Sequence, residues 1–271
     1  MTQINPTPAD ASPHAPAPQP THAAPHKAPA HTLMLLPGLL CDRAAWAGQC
    51  AALAPLADCV VPDYGQADSI EAMARHVLDV APTGRFALAG HSMGGRVALE
   101  VVRQSPGRVE RLALLDTGFQ PLPDGDAAER ERAQRMGLLE RARREGMRAM
   151  GEAWAAGMVH PARLENRLSG EVFEQILAMI ERSTPDIFAA QIRALLGRPD
   201  ATPLLAEIRC PTLVLCGRQD AWSPLDRHVV MADRIPHARL AVIEESGHMA
   251  PMERPAEVSH QLAMWLEAPL A

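Results

Sequence analysis

Short apolar runs alternate with amphipathic segments along most of the chain. The first run spans residues 32–36 and stops at Pro37-Gly38, which is typical of a strand buried on both faces. Residues 69–80 carry apolar side chains at helical spacing after a capping serine. Further strands are predicted at 59–61, 85–89 and 111–115, and a second helix at 93–104. Strands that alternate with helices predict an α/β fold with a mostly parallel sheet and helices on both faces.

The alternation is interrupted between residues 118 and 201, where the pattern predicts helices and no strand. Arg and Glu crowd residues 126–148, as on a helix whose face is solvated. Strands and helices then resume at 212–216, 225–234, 239–243 and 255–266. We therefore predict a helical lid over residues 118–201 at the carboxyl edge of the sheet, inserted into a core formed by 31–117 and 202–271.

Residues 1–30 have a different composition, with eight prolines, no apolar periodicity and several histidines. Such a segment buries too little apolar surface to offset its ordering entropy, so a disordered tail is predicted. Histidines can bind metal ions, but solvated side chains are the preferred interpretation for His14, His22 and His26.

Composition narrows the range of partners and locations. A length of 271 residues suits one large α/β domain, and a net charge of −6 argues against a nucleic-acid partner. The sequence has no apolar run of about 18 or more residues, so no membrane span is expected. The five cysteines are expected to be free, mostly buried thiols, because a strand would hold Cys210 and Cys216 about 20 Å apart. With no secretory signal visible, we expect a cytoplasmic monomer or dimer.

The sharpest motif is Gly90-His91-Ser92-Met93-Gly94-Gly95, which fits the pattern G-x-S-x-G between a predicted strand and a predicted helix. A nucleophile exposed on such a tight turn leaves no room for side chains two residues away on either side. We therefore predict Ser92 as the nucleophile, at a helix N-terminus that favours developing negative charge. The alternative is a glycine-rich connection with no catalytic role.

A serine hydroxyl needs a base at neutral pH. His248 lies in a loop after the last predicted strand, on the same edge of the sheet as Ser92, whereas the other histidines fall in the tail, in helices, beside prolines or next to Ser92. The base in turn needs an orienting acid. Asp220, after the first strand beyond the lid, is preferred. Asp116, after the strand before the lid, is the alternative and is otherwise expected to fix the entry to the lid through local backbone hydrogen bonds.

Two backbone N–H groups are predicted to form an oxyanion hole. One belongs to Met93, directly after the nucleophile. The other belongs to Leu39, in the loop after the first strand, where Gly38 permits a close approach. An ordinary Pro-Gly turn is the alternative for that loop.

Four segments together resemble the α/β-hydrolase superfamily: Leu36-Pro37-Gly38-Leu39, Gly90 to Gly95, Gly217-Arg218-Gln219-Asp220, and Ser246-Gly247-His248 with Glu253-Arg254-Pro255 after it. The chain is most similar to the lidded branch that contains the pimeloyl-carrier-protein methyl ester esterase, enol-lactonases, carbon–carbon bond hydrolases and cofactor-free haloperoxidases. In that branch the residue after a His-Gly pair supplies an oxyanion N–H, a role that the resemblance implies for Leu39. Pro37 replaces that histidine, and no first hairpin is visible, so about six strands are expected in place of the usual eight.

The predicted triad and the resemblance imply a serine hydrolase that cleaves a small or medium carboxylic ester, thioester or lactone through an acyl-enzyme on Ser92. No cofactor or metal is expected, since the sequence contains no dinucleotide, phosphate-loop or zinc-protease motif. Carbon–carbon bond hydrolysis or haloperoxidase chemistry on the same triad is the alternative. A non-catalytic protein that holds a ligand in the cleft is a second alternative.

The substrate pocket is expected between the lid and the triad. Few charges fall at 171–180 and 187–192, so the second half of the lid is predicted to face the cleft and the charged first half to face solvent. The predicted substrate-binding residues are Leu40, Met158, Phe188, Trp222 and Met249, with Ile192 as a further lid candidate.

Removal of residues 1–28 is expected to leave the melting temperature and the activity nearly unchanged, because the segment has little apolar surface to bury. Calorimetry of the full-length and shortened chains measures this. A melting temperature lowered by more than about 5 °C, or more than about 1 kcal/mol for a domain of this size, would show that the segment packs on the core.

Overall fold

A parallel sheet forms the centre of the molecule. The computed structural model describes residues 1–3, 31–165 and 170–270. Its strands are β1 (His31–Leu36), β2 (Ala57–Val60), β3 (Phe86–His91), β4 (Val109–Leu115), β5 (Thr212–Gly217) and β6 (Arg239–Ile243). All pair in parallel in the order β2-β1-β3-β4-β5-β6. The predicted α/β-hydrolase fold and six-stranded sheet are confirmed, whereas most of the predicted tail at 1–30 lies outside the described residues.

Helices flank the sheet and connect its strands. They are α1 (Ala47–Leu53), α2 (Ile70–Val80), α3 (Met93–Gln104), α4 (Asp126–Glu145), α5 (Met147–Ala155), α6 (Ala162–Glu165), α7 (Gly170–Glu181), α8 (Pro185–Leu196), α9 (Thr202–Leu205), α10 (Leu225–Arg234), α11 (Ala250–Glu253) and α12 (Pro255–Glu267). Short 3-10 turns span Arg43–Trp46 and Pro106–Arg108. Helix α1 packs against α12 and α2 against α3, while α3 also covers β1, β3 and β4.

The central strands carry the core. Every side chain of β3 and β5 is buried, as are the last four of β1, because neighbouring strands and helices cover both faces. The outer strands β2 and β6 contain partly exposed residues. Strand β2 begins at Ala57, two residues before the predicted start, since Ala57 and Asp58 pair with His31 and Thr32. An edge strand tolerates a polar residue such as Asp58, which the apolar pattern did not include.

The order of the strands places the candidate site. The chain adds β2 on one side of β1 and then β3 to β6 on the other. A crevice forms at the carboxyl ends of the strands where such a sheet reverses its winding. The loops that leave β1, β3, β4, β5 and β6 at this edge carry, respectively, Leu39, Ser92, Asp116, Asp220 and His248.

Between β4 and β5 the chain forms helices, and the described part of this segment contains no strand. We call residues 118–165 and 170–201 the helical insertion. Helix α4 packs against α5 and α8, and α5 packs against α7. Helix α4 ends at Glu145, three residues before the predicted end, because Gly146 adopts a φ of 90° that turns the chain into α5.

The five cysteines, all within the described residues, are free thiols. Cys216 is buried, whereas the other four are partly exposed, so the thiols are less buried than expected. None of the helices in the described residues has the length and apolar character that crossing a membrane requires.

Candidate active site

Ser92 occupies a strained turn between β3 and α3. Its φ of 53° and ψ of −117° lie outside the regions that residues with a side chain commonly adopt, at a cost of about 1–3 kcal/mol. Close backbone contacts surround the turn: a Cβ on Gly90 would lie 2.3 Å from the Gly94 carbonyl oxygen, and one on Gly94 would lie 2.2 Å from that of Leu36. The Ser92 N–H donates to the Leu115 carbonyl at 2.9 Å, which holds the turn against β4.

A line of hydrogen bonds connects three of the predicted residues. Ser92 Oγ lies 2.8 Å from Nε2 of His248, and Nδ1 of the same ring lies 2.8 Å from Oδ2 of Asp220. The backbone N–H groups of Trp222 and Ser223 both donate to Oδ1 of Asp220 at 2.8 Å. Ionised Asp220 can only accept a hydrogen bond, so the neutral His248 ring carries its proton on Nδ1. Nε2 is then free to accept the proton of the Ser92 hydroxyl.

The protonation of Asp220 follows from its surroundings. Burial raises its pKa, but the charge of His248 and the hydrogen bonds from His248, Ser223 and Trp222 outweigh burial. The pKa of Asp220 therefore lies below its ordinary value, and the carboxylate is ionised at neutral pH.

Asp116 has a different environment. Burial, and then repulsion from Asp220, raise its pKa well above the ordinary value, so it is a neutral acid. Its Oδ1 accepts the Gly217 N–H at 2.8 Å, which ties the end of β4 to the end of β5. The expectation that Asp116 fixes the entry to the lid through local hydrogen bonds is therefore not met, because its carboxyl accepts from Gly217, 101 residues away on the neighbouring strand.

His91 supports the loop that carries His248, here called the histidine loop (residues 244–249). Its Nε2 donates to the His248 carbonyl at 2.7 Å. Burial and the proximity of His248 lower the pKa of His91 to about 3, so the ring is neutral. His91 is therefore a buried support for the base and not a second base.

Glu253 is a buried acid whose role the sequence pattern did not reveal. It accepts the N–H groups of Gly247 at 2.9 Å, Met249 at 3.3 Å and His160 at 2.8 Å. The N–H of His248 also donates to the Met158 carbonyl at 2.6 Å. The histidine loop is thus held between α11 and the helical insertion. In the sequence, Glu253 follows four apolar residues, 249–252, and belongs to the segment Glu253-Arg254-Pro255 that contributes to the family resemblance.

The loop after β1 (residues 37–42) approaches Ser92 closely. A Cβ on Gly38 would lie 3.2 Å from Cβ of Ser92. The N–H of Leu40 donates to Oε1 of Gln191 on α8 at 2.8 Å, so a buried side chain of the insertion holds this loop. Within the described residues, the N–H groups of Leu39 and Met93, the two predicted oxyanion donors, have no hydrogen-bond acceptor.

A cavity of about 1230 Å³ opens above Ser92 and His248. Among the other predicted site residues, Leu39, Met93, Met158 and Trp222 line it. Leu40, Phe188, Met249 and Ile192 are buried but do not line it, so these predictions of wall residues are not met. Phe188 lies behind the cavity wall because the Trp154 ring, 6.1 Å away, takes the position in front of it. The Trp222 ring lies 5.2 Å from the His248 ring.

The orientation of the insertion differs from the prediction. Helix α4 lines the cavity with residues of its charged face, among them Arg130, Glu131, Gln134, Arg135 and Leu138. Charged side chains can line a solvent-accessible cavity when they form ion pairs. Glu131 forms such pairs with Arg135 at 2.8 Å and with Arg198 at 2.7 Å. A charged helix face therefore does not distinguish a cavity wall from the outer surface. No group of His, Cys, Asp or Glu in the described residues is arranged to hold a metal ion.

Comparisons with known proteins identify the family and the fold. A model of the alpha/beta hydrolase family matches residues 10–261. The 2-hydroxy-6-oxononadienedioate/2-hydroxy-6-oxononatrienedioate hydrolase of Escherichia coli is 26% identical over 232 residues, covering 77% of this chain and 74% of the relative. A thermophilic esterase from Thermogutta terrifontis, solved with malate bound, is 33% identical with a TM-score of 0.79, covering 88% of this chain and 90% of that one. The enol-lactonase from Burkholderia xenovorans LB400 is 21% identical with a TM-score of 0.75, and the match covers 88% of this chain and 92% of that one. It shares the fold.

The two candidate acids are separated by comparing Asp220→Asn with Asp116→Asn. The first removes the charge that stabilises the imidazolium and selects the tautomer, so kcat is expected to fall by roughly 10³-fold or more. The second replaces a neutral acid with a neutral amide that still accepts from Gly217, so kcat is expected to change little. Steady-state kinetics on one ester measures both, and the reverse ranking would assign the acid to Asp116.

Asp116→Asn is also expected to change how stability depends on pH. The pKa of Asp116 is higher in the folded chain than in the unfolded chain, where it is about 3.9. Above about pH 3.9 the unfolded chain loses this proton and the folded chain keeps it. The folded state is therefore destabilised by up to about 1.4 kcal/mol for each pH unit. The penalty is absent below that pH and grows until the folded pKa is passed. Denaturation between pH 5 and pH 7 should show the variant gaining stability relative to wild type as pH rises. A constant difference would contradict a neutral Asp116.

Proposed function

Because the chain belongs to the alpha/beta hydrolase family, we propose that it is a serine hydrolase that cleaves a small or medium carboxylic ester, thioester or lactone through an acyl-enzyme on Ser92. The observation that carries the proposal is the hydrogen-bonded line from Ser92 through His248 to Asp220, with 2.8 Å at each step, at the base of a cavity. The similarity to the Thermogutta esterase, at 33% identity, supports the choice of an ester.

The proposed reaction begins when Ser92 Oγ attacks the carbonyl carbon of the substrate. The hydroxyl proton moves to Nε2 of His248, and ionised Asp220 stabilises the resulting imidazolium. The carbonyl oxygen becomes an oxyanion that accepts the N–H groups of Leu39 and Met93, aided by the N-terminus of α3. As the tetrahedral intermediate collapses, His248 returns the proton to the leaving oxygen, and a water molecule repeats the sequence to release the acid.

We propose that the helical insertion acts as a lid. Its residues Trp154 and Met158 line the cavity, as do Leu138 of α4 and Leu195 of α8. These apolar groups would contact the part of the substrate next to the scissile bond. Chain-length preference should be gradual, since one methylene in an apolar pocket is worth about 1–3 kcal/mol. The five free thiols support the expected cytoplasmic location.

Carbon–carbon bond hydrolysis is the second candidate function. It is favoured by the Escherichia coli relative, whose name states that it hydrolyses a 2-hydroxy-6-oxo dienedioate. The same serine, base and oxyanion donors would serve that reaction, so the triad does not separate the two. Relative kcat/KM values for a p-nitrophenyl ester and a 2-hydroxy-6-oxo dienoate would separate them.

Ser92→Ala is expected to abolish labelling by a fluorophosphonate probe and to lower kcat on p-nitrophenyl esters by about 10³-fold or more, leaving the catalysis of the oxyanion hole. Ser105→Ala, at the C-terminal end of α3 and outside the cavity, is the matched control and should keep both properties. Mass spectrometry of the labelled peptide and steady-state kinetics provide the measurements. Labelling that persists in Ser92→Ala, or a wild-type protein that neither labels nor hydrolyses, would refute the proposal and favour a ligand-binding role.

A further inference from the structure

The cavity above Ser92 carries an excess of positive charge. Five arginines line it, Arg96, Arg130, Arg135, Arg198 and Arg227, but only two acids, Asp124 and Glu131. Glu131 is already bound by Arg198 and Arg135, and Asp124 is exposed to solvent. The wall therefore remains cationic, although the whole chain has a net charge of −6.

Two of these arginines meet without an acid between them. A Cβ built on Gly118 would lie 2.7 Å from Nη2 of Arg96 and 3.4 Å from Nη1 of Arg227, so both guanidinium groups converge on one stretch of backbone. Arg96 donates to the Gln120 carbonyl at 2.8 Å, and Arg227 has long contacts to the Trp222 carbonyl at 3.4 Å and to Ser223 Oγ at 3.5 Å. Within the described residues, neither forms an ion pair.

An anion in the cavity would stabilise this pair of guanidinium groups. Partly buried guanidinium groups lose hydration and repel one another when no carboxylate lies nearby. Burial, followed by repulsion from Arg198 and Arg227, lowers the pKa of Arg96 to about 9, although the charge of Glu131 acts in the opposite direction. Several N–H donors in these two forks thus have no acceptor in the described residues, and planar forks of this kind match a carboxylate.

The position of the pair relates it to the catalytic serine. Arg96 is on the first turns of α3, and its backbone N–H points to the Ser92 carbonyl at 3.4 Å. Arg227 is on α10, which follows the loop that holds Asp220. One helical turn, about 5.4 Å, separates Arg96 from Ser92 along the axis, and the long side chain adds to this reach. An anion bound here would be several atoms away from a carbonyl at Ser92.

We propose that Arg96 and Arg227 form an anion subsite that binds a carboxylate at the end of the substrate remote from the scissile bond. The preferred substrates are then monoesters of dicarboxylic acids or esters with a similar charged end, and neutral esters are poorer. This inference rests on the proposed hydrolase function and adds the chemical class of its substrate. The apolar residues of the insertion would contact the spacer between the two ends.

The test compares p-nitrophenyl monoesters of the dicarboxylic acids from succinate to suberate with neutral esters of the same chain length. Wild type is expected to prefer the charged ester at one spacer length by about 10- to 100-fold in kcat/KM, the range of a charge-assisted hydrogen-bonded contact. The preference should decrease as salt screens the interaction. Arg96→Gln and Arg227→Gln should each reduce this ratio, and two separate variants guard against a folding defect in one of them.

Arg193→Gln is the matched control, because Arg193 is on the exposed side of α8, pairs with Asp68 and does not line the cavity. It should keep the wild-type ratio. A wild-type ratio near one, or a ratio that neither cavity variant changes, would overturn the subsite while labelling at Ser92 leaves the hydrolase intact.

Binding separates failure of the subsite from failure of the function. Calorimetric titration of adipate into Ser92→Ala should show binding that Arg227→Gln weakens and Arg193→Gln does not. If no ester is hydrolysed and this binding persists, the subsite stands and the hydrolase proposal fails. If adipate does not bind and the neutral esters are hydrolysed, the hydrolase proposal stands and the anion subsite fails.

Discussion

The candidate site depends on how closely three backbone segments approach at the end of β3. The turn at Ser92 is pressed between the carbonyl of Leu36 on β1 and the first turn of α3, at distances that exclude any Cβ on Gly90 or Gly94. This contact forces Ser92 into its strained φ and lifts its hydroxyl out of the sheet edge. The same close approach places the amide of Met93 and the loop after β1 next to the Ser92 side chain. Strands β5 and β6 then bring Asp220 and His248 to the same edge, because the carboxyl ends of parallel strands lie on one side of a sheet.

The electrostatics of this edge are simple despite its many titratable groups. Asp116 and Asp220 leave adjacent strands, and two carboxylates so close together cannot both be ionised without cost. The difference in their hydrogen bonds decides which one is charged. Asp220 faces a histidine and two backbone donors, whereas Asp116 is fully buried and receives only backbone N–H groups, which do not offset its burial. His91 is neutral for a similar reason, so His248 has one ionised partner and no competitor.

Residues close to strand ends were predictable, and residues that depend on packing between helices were not. Ser92, Asp220 and His248 follow apolar runs that are easily recognised, and the structure brings them together. Glu253 binds the His160 amide, 93 residues away, and Gln191 binds the Leu40 amide, 151 residues away, and no local pattern indicates such contacts. The cavity wall was misassigned at Phe188 and α4 because the periodicity of a helix shows that it has a buried face without showing what that face contacts.

The hydrogen bonds that connect the helical insertion to the loops around Ser92 have a kinetic consequence for the proposed function. Gln191 holds the amide of Leu40, and the Met158 carbonyl holds the amide of His248, so the two loops that flank Ser92 share their supports with the roof of the cavity. A displacement of α8 or of the segment after α5 that separated them from these loops would break the two hydrogen bonds. In the proposed hydrolase, an open state would therefore be a poor catalyst, and an acyl group attached to Ser92 would wait for reclosure before water could remove it. Turnover would then follow the rate of this movement more closely than the intrinsic reactivity of the ester, and good and poor leaving groups would be processed at similar maximal rates.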